Sequence, residues 1–166
     1  AYTKIGEGVL INTPAYDPFA EAIEHNERKL FCSSLINREN RYYLDFDDIE
    51  KQMKENNIKL YIFCSPQNPS GRIWTKEELF QLAELCIRHE VLLVCDEIHR
   101  DIVYKNQTFT SIWNAHPKIS QHSVLCLSPN KGFNLGGLKT SYVVVPNPDI
   151  RETLLLQLQK NSITSP

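Results

Sequence analysis

Hydrophobic positions along this chain switch repeatedly between two periods. Short apolar runs closed by Pro, Asn, Asp or Ser alternate with longer stretches in which apolar residues recur at every third or fourth position. The runs predict strands over residues 9–12, 28–33, 60–64, 91–95, 124–127 and 140–145. Between them, helical spacing predicts a helix over 17–25, opened by Asp17 with Pro18 in its first turn. A second helix is predicted over 45–56. Its Phe46, Ile49 and Met53 share one face, and its Asp47 and Asp48 sit at the positive end of the helix dipole. The plainest signal starts at Thr75, which forms a Thr-x-x-Glu capping box with Glu78, followed by a stripe of Leu79, Leu82, Ala83, Cys86 and Ile87. A last helix starts at Pro148 and carries Ile150, Leu154, Leu155 and Leu158.

Strands that alternate with helices in this way predict an α/β fold, a three-layer sandwich built on a mostly parallel sheet. The uninterrupted apolar run over 91–95 fits a strand covered on both faces. There are no internal repeats, low-complexity tracts or linkers. The chain opens close to a strand and stops at Ser165-Pro166 without a closing element, so residues 1–166 are expected to be part of a longer chain.

Composition narrows the picture without sharpening it. With 42% hydrophobic and 23% charged residues over 166 positions, the chain can bury a real core, which excludes disordered and fibrous classes. A net charge of -2 with no strong cluster of either sign gives no support for a nucleic-acid or membrane surface. No apolar run reaches the roughly 18 to 20 residues that span a bilayer, and the start lacks the order of a signal peptide, so a cytoplasmic location is expected. Cys32, Cys64, Cys86, Cys95 and Cys126 lie far apart, three of them (Cys64, Cys95 and Cys126) in predicted core strands. They read as reduced, mostly buried thiols. The histidines are scattered too, and no His or Cys spacing points to a metal site.

Candidate chemistry lies where predicted strands end, because ligands of open parallel sheets gather beyond the carboxyl ends of the strands. After residues 60–64 comes Ser65-Pro-Gln-Asn68-Pro69-Ser-Gly71, a turn restricted by proline on both sides of Asn68. After 91–95 come Asp96-Glu97-Ile98-His99, and after 124–127 come Ser128 and Lys131 in a glycine-rich loop. Taken singly, each has a plainer reading: a turn, a loop cap, a surface lysine. Together they place an amine, a carboxylate and an amide on successive strand ends. A lysine there can form a Schiff base if burial or cationic neighbours lower its pKa.

The segments Thr13-Pro-Ala-Tyr16-Asp-Pro-Phe19, Arg41 to Glu50, Cys64-Ser-Pro-Gln-Asn-Pro-Ser-Gly71, Cys95-Asp-Glu-Ile-His-Arg-Asp-Ile-Val103 and Ser128 to Leu138 carry a resemblance that runs over essentially the whole chain. It resembles the fold-type I pyridoxal-phosphate enzymes of the class I/II aminotransferase superfamily, and within them the MalY/PatB-type cystathionine β-lyases, or carbon-sulfur lyases. Asn-Pro-x-Gly and Ser-x-x-Lys are shared across that superfamily, while Asp-Glu-Ile-His and Lys-x-Phe-Asn-Leu are more particular to the lyase-like branch.

The resemblance implies the central part of a PLP-binding large domain. It implies that Lys131 is the catalytic lysine, bonded to pyridoxal 5'-phosphate and moving protons at the substrate α-carbon. Asp96 would pair with the pyridine nitrogen and Asn68 would donate to the 3-oxygen. His99 stands where many aminotransferases have a tyrosine, and Tyr16 matches the aromatic that stacks on the ring. Ser128 would touch the phosphate, and Lys139 stands where a phosphate-binding arginine is usual, giving a point charge in place of a planar fork. The helix N-terminus that normally holds the phosphate would precede Ala1, and the substrate-carboxylate arginine would follow Pro166, so this stretch alone is not expected to catalyse. The implied activity is β-elimination of cystathionine- or cysteine-type amino acids to thiol, pyruvate and ammonia, in a homodimer. The alternatives are an aminotransferase and a non-catalytic, aminotransferase-like ligand-binding domain.

Overall fold

The computed structural model describes residues 1–163; the terminal Ser165-Pro166, expected to lack a closing element, lies outside the described residues. In chain order the elements are β1 (Gly8–Thr13), α1 (Pro18–His25), β2 (Lys29–Ser34), β3 (Ile36–Arg38), β4 (Arg41–Tyr43), α2 (Phe46–Glu55), β5 (Ile58–Cys64) and α3 (Lys76–Arg88). They continue with β6 (Leu92–Asp96), α4 (Ile112–Ala115), β7 (Ser123–Leu127), β8 (Tyr142–Val144) and α5 (Pro148–Lys160). Six strands form one sheet in the order β2-β1-β5-β6-β7-β8, parallel throughout except for β7 with β8. This is the expected mostly parallel α/β sheet.

Alternation along the strands sorts side chains onto two faces. Tyr61, Phe63, Leu93, Cys95 and Leu125 join Ile49 and Met53 of α2 and Leu79, Leu82 and Cys86 of α3 in the main core. The opposite face holds a smaller cluster in which Val9, Ile11 and Ile23 of α1 are buried and Leu60 and Ile62 are half-buried. The α3 capping box forms as expected. The Thr75 hydroxyl accepts from the Glu78 N–H at 3.2 Å, and the Glu78 carboxylate accepts from the Thr75 N–H at 2.7 Å. Asp45 likewise caps α2 by accepting from the Asp48 N–H at 3.0 Å.

Several local expectations are corrected. Asp17 precedes α1 but makes no side-chain cap bond. Ile87 is only half-buried and Leu85 takes its place in the α3 stripe, since the face is set by what packs against it. The last strand is confined to Tyr142–Val144 and runs antiparallel at the sheet edge. In β6, Leu93 and Cys95 are buried but Leu92 and Val94 are half-buried, so the strand is fully covered on one face only. No residue of α5 is buried and Leu155 is 47% exposed. An apolar stripe buries itself only where another element faces it, and local periodicity carries no such information. The β3–β4 hairpin and α4 were not foreseen at all. All five cysteines are free, with Cys64, Cys86 and Cys95 buried.

Candidate active site

Register places Asp96 between two other strand ends. It is paired with Cys64 of β5 on one side and with Cys126 of β7 on the other, so these side chains share one face at the carboxyl end of the sheet. Asp96 is the last residue of β6, not the first after it as the sequence suggested. Its Oδ1 accepts from the Ile98 N–H at 3.1 Å. Burial pushes its pKa up; the Ile98 hydrogen bond and the charges of His99 and Lys131 pull the other way. Burial lowers the pKa of His99, the Asp96 charge raises it and the Lys131 charge lowers it. Asp96, His99 and Lys131 are thereby brought within electrostatic reach of one another.

The β5 loop is built around Gln67. Its buried amide Nε2 donates to the Pro14 carbonyl at 2.7 Å and the Asn68 carbonyl at 3.0 Å, while its Oε1 accepts from the Ser70 N–H at 2.9 Å and from the Ser70 hydroxyl. The turn closes with the Gly71 N–H donating to the Gln67 carbonyl at 2.7 Å, and Gly71 has a φ of 69°, where a side chain would be strained. The peptide bonds before Pro14, Pro66 and Pro69 are cis. Asn68 is half-buried and, with His99, lines a cleft of about 420 Å³ whose apolar walls include Pro66, Pro69, Ile102 and Tyr104. A larger hollow of about 550 Å³, lined by Lys4, Lys59, Leu92 and His122, opens at the amino ends of the strands, away from this chemistry.

Glu97 points to the other face and is fully buried. Its Oε1 accepts from the Ser111 hydroxyl and the Ile112 N–H, each at 2.9 Å, and lies 3.8 Å from the Cys95 thiol; its Oε2 lies 3.4 Å from the Arg100 guanidinium. Burial raises its pKa and these donors oppose the rise. The carboxylate therefore fastens both ends of the segment that carries His99 and Asp101 to the end of β6.

The loop after β7 is held mainly by its own backbone. The Ser128 hydroxyl donates to the Thr140 carbonyl at 2.7 Å and accepts from the Asn130 N–H at 3.1 Å, and the N–H groups of Phe133 and Leu135 return to Pro129 and Asn130. Ser128 thus already spends its proton inside the loop. Asn130 Oδ1 is buried without a hydrogen-bond partner. Lys131 and Lys139 are both exposed, Lys139 with a left-handed φ of 49°.

Tyr16 follows β1 and is 48% exposed, its ring edge-on to Phe19 at 5.6 Å. Its connection to the other strand ends runs through the bond from Gln67 to Pro14. Sequence reading missed both Gln67 and Glu97 as the groups that hold the loops. Glu97 left one usable signal: a carboxylate next to Asp96 in a strand must face the opposite way, into the core, and must find donors there. Gln67 left none, because its partner Pro14 is remote in the chain. Among the described residues no group of His, Cys, Asp or Glu side chains is arranged to hold a metal ion, and no helix is long and apolar enough to cross a membrane.

Comparison with known proteins agrees with this fold. The family model described as aminotransferase class I and II matches residues 1–165. The chain is 35% identical over 163 residues to cystathionine beta-lyase PatB of Bacillus subtilis, covering 98% of this chain and 42% of PatB. It is also 35% identical over 172 residues to protein MalY of Escherichia coli, covering 99% of this chain and 42% of MalY. Among solved structures, the PLP-bound C-S lyase from Staphylococcus hominis superposes with a TM-score of 0.90 at 35% identity, over 95% of this chain and 40% of that one. Cystalysin from Treponema denticola, which contains pyridoxal 5'-phosphate, gives 0.88 at 37% identity over 91% and 38%. The chain thus spans 42% of the length of the two curated relatives.

Proposed function

Because the chain belongs to the aminotransferase class I and II family, we propose that it forms the central part of a PLP-binding large domain in a carbon-sulfur lyase. The protein would cleave cystathionine, cysteine or a related β-thio amino acid to thiol, pyruvate and ammonia, as a homodimer. The observation that carries this reading is the register that seats Asp96 between the ends of β5 and β7, whose following loops carry Asn68 and Lys131. The lyase names and titles among its relatives support that substrate class.

The donor set fits pyridoxal phosphate. A half-buried carboxylate whose pKa is raised, with one backbone donor on Oδ1, suits a protonated ring nitrogen, which would restore the partner that burial has cost it. Asn68 presents an amide at the cleft for the 3-oxygen, and His99 lines the same cleft. Tyr16 is exposed and free to pack against a flat ring. Lys139 keeps an exposed ammonium available to a phosphate at the loop after β7, while the Ser128 hydroxyl would have to turn its proton away from the Thr140 carbonyl to reach one.

Pyridoxal phosphate, when bound, supplies a sink for the electron pair left at the substrate α-carbon. Lys131 would hold the cofactor at rest through its Nζ, release it to the substrate amine and then take the α-proton as general base. Asp96 would keep the proton on the ring nitrogen throughout, and Asn68 would fix the ring by its 3-oxygen. With the α-proton on Lys131, the carbon-sulfur bond at the β-carbon breaks and the thiolate leaves. Transamination would use the same side chains, and a relative such as the aspartate aminotransferase of Geobacillus stearothermophilus, 29% identical, keeps that reading in play. Pyruvate release from cystathionine without any keto acid decides between them: release supports the lyase, and strict dependence on 2-oxoglutarate overturns it. In the same protein, borohydride reduction with pyridoxal phosphate should label Lys131, and Lys131→Ala should abolish both label and turnover.

A further inference from the structure

We infer that Asp101 is a positioning residue for Lys131, acting through Gly132. The proposal rests on the reading of Lys131 as the cofactor lysine and adds to it a residue that touches neither cofactor nor substrate. A methyl group on the Gly132 α-carbon would lie 3.0 Å from Asp101 Cβ, 3.5 Å from its Oδ2 and 3.7 Å from its Cγ. At 3.0 Å the Asp101 Cβ would have to give by a few tenths of an ångström, while the other two distances are ordinary contacts. Gly132 does not have the left-handed φ that would by itself call for glycine; Gly6 and Gly71 are the glycines that do. At Gly132 a side chain would instead crowd Asp101, chiefly its Cβ.

The two partners differ in how firmly they are held. Asp101 sits in a segment that Glu97 anchors, with the Arg100 N–H donating to the Glu97 carbonyl at 3.0 Å and the Ile102 N–H to the His99 carbonyl at 3.0 Å. The same segment is tied to Asp96 through the Ile98 N–H. The Lys131 loop is exposed from residue 131 onward, and the hydrogen bonds of Ser128, Phe133 and Leu135 stay within it. The close approach of Gly132 to Asp101 therefore refers the exposed Lys131 loop to the anchored segment. It sets the lysine relative to Asp96, the group it must work beside. A displacement of about 1 Å at such a position costs up to roughly a hundredfold in rate.

The test uses the full-length enzyme and a double-mutant cycle. Gly132→Ala should slow borohydride-trapped labelling of Lys131 by pyridoxal phosphate and lower kcat by about tenfold, with KM changed far less. Adding Asp101→Gly, which returns the lost space, should restore both to within about threefold of the parent. An alanine variant that behaves like the parent, or a double variant no better than the single one, overturns the proposal. If Gly132→Ala does not fold, Asp101→Gly alone removes the group that Gly132 approaches and must slow labelling of Lys131; a normal labelling rate there overturns it equally. Failure of Lys131 to be labelled in the parent enzyme would instead sink the functional reading beneath it.

Discussion

Glu97 and Ser111 are joined by a buried hydrogen bond of 2.9 Å, from the serine hydroxyl to a carboxylate with no exposed surface. The Ile112 N–H donates to the same oxygen at 2.9 Å. Removing the carboxylate strands two buried donors and frees the segment carrying His99 and Asp101. Glu97→Ala should cost about 3 kcal/mol in urea denaturation. Glu97→Gln keeps an acceptor for both donors and should cost clearly less.

Gln67 does for the β5 loop what Glu97 does for the β6 segment. One amide reaches across to Pro14, grips Ser70 and thereby sets Asn68 and the Tyr16 turn relative to each other. Gln67→Ala should destabilise by about 2 kcal/mol, as expected when buried polar groups lose their partner. In the full-length protein it should also weaken pyridoxal phosphate binding, read by equilibrium dialysis, even though Gln67 itself holds no part of the cofactor.

Much of this was legible in the sequence, and what was not has a common cause. The parallel strands, the Thr75–Glu78 box and the Asp45 cap are written in local period and local donors, so they could be read from the chain alone. The β3–β4 hairpin pairs Ile36–Arg38 with Arg41–Tyr43, strands too short to show alternation. It is held through Arg72, which donates to the Tyr42 carbonyl at 2.9 Å, pairs with Glu78 at 2.7 Å and lies over Trp74 at 5.0 Å. The first of those contacts joins residues thirty positions apart. The candidate site divides the same way. Asp96, Asn68, His99 and Lys131 stand out at strand ends, whereas Gln67 and the pairing of Asp101 with Gly132 appear only when distant loops meet.

A salt-bridge cluster ties α2 to α3 and sets an acid limit. Glu50 lies 3.0 Å from Lys54, 3.2 Å from Arg88 and 3.1 Å from His89. The His89 and Lys54 hydrogen bonds, chiefly, lower its pKa from 4.5 to about 2. A depressed carboxyl pKa contributes stability above its unfolded value, and that contribution fades as pH falls through the folded one. Glu50→Gln should therefore be less stable than the parent at neutral pH, with the gap in melting temperature narrowing between pH 4.5 and about 2. A gap that stays constant over that window would refute the assignment.

Asp96 carries the opposite sign, and that makes it the sharpest separation of function from stability. Its pKa is raised from 3.8 because burial disfavours the charged form more than the Ile98 bond, His99 and Lys131 favour it. A raised pKa means that the folded state holds its proton more tightly than the unfolded chain does. The associated stability is present below 3.8 and is lost as pH climbs through the folded value. Above the folded value the carboxylate's charge is thus a net burden on the cofactor-free protein. Asparagine has nearly the same shape, keeps an acceptor for the Ile98 N–H and carries no charge. Asp96→Asn should leave the neutral-pH melting temperature of the cofactor-free protein unchanged or higher. On its proposed role as the partner of the ring nitrogen, the same change in the full-length enzyme should lower turnover by roughly a hundredfold or more, since no anion would remain to hold that proton. Loss of stability together with retained activity would reverse both halves of the argument. A melting curve and a pyruvate assay on one variant are enough to see it.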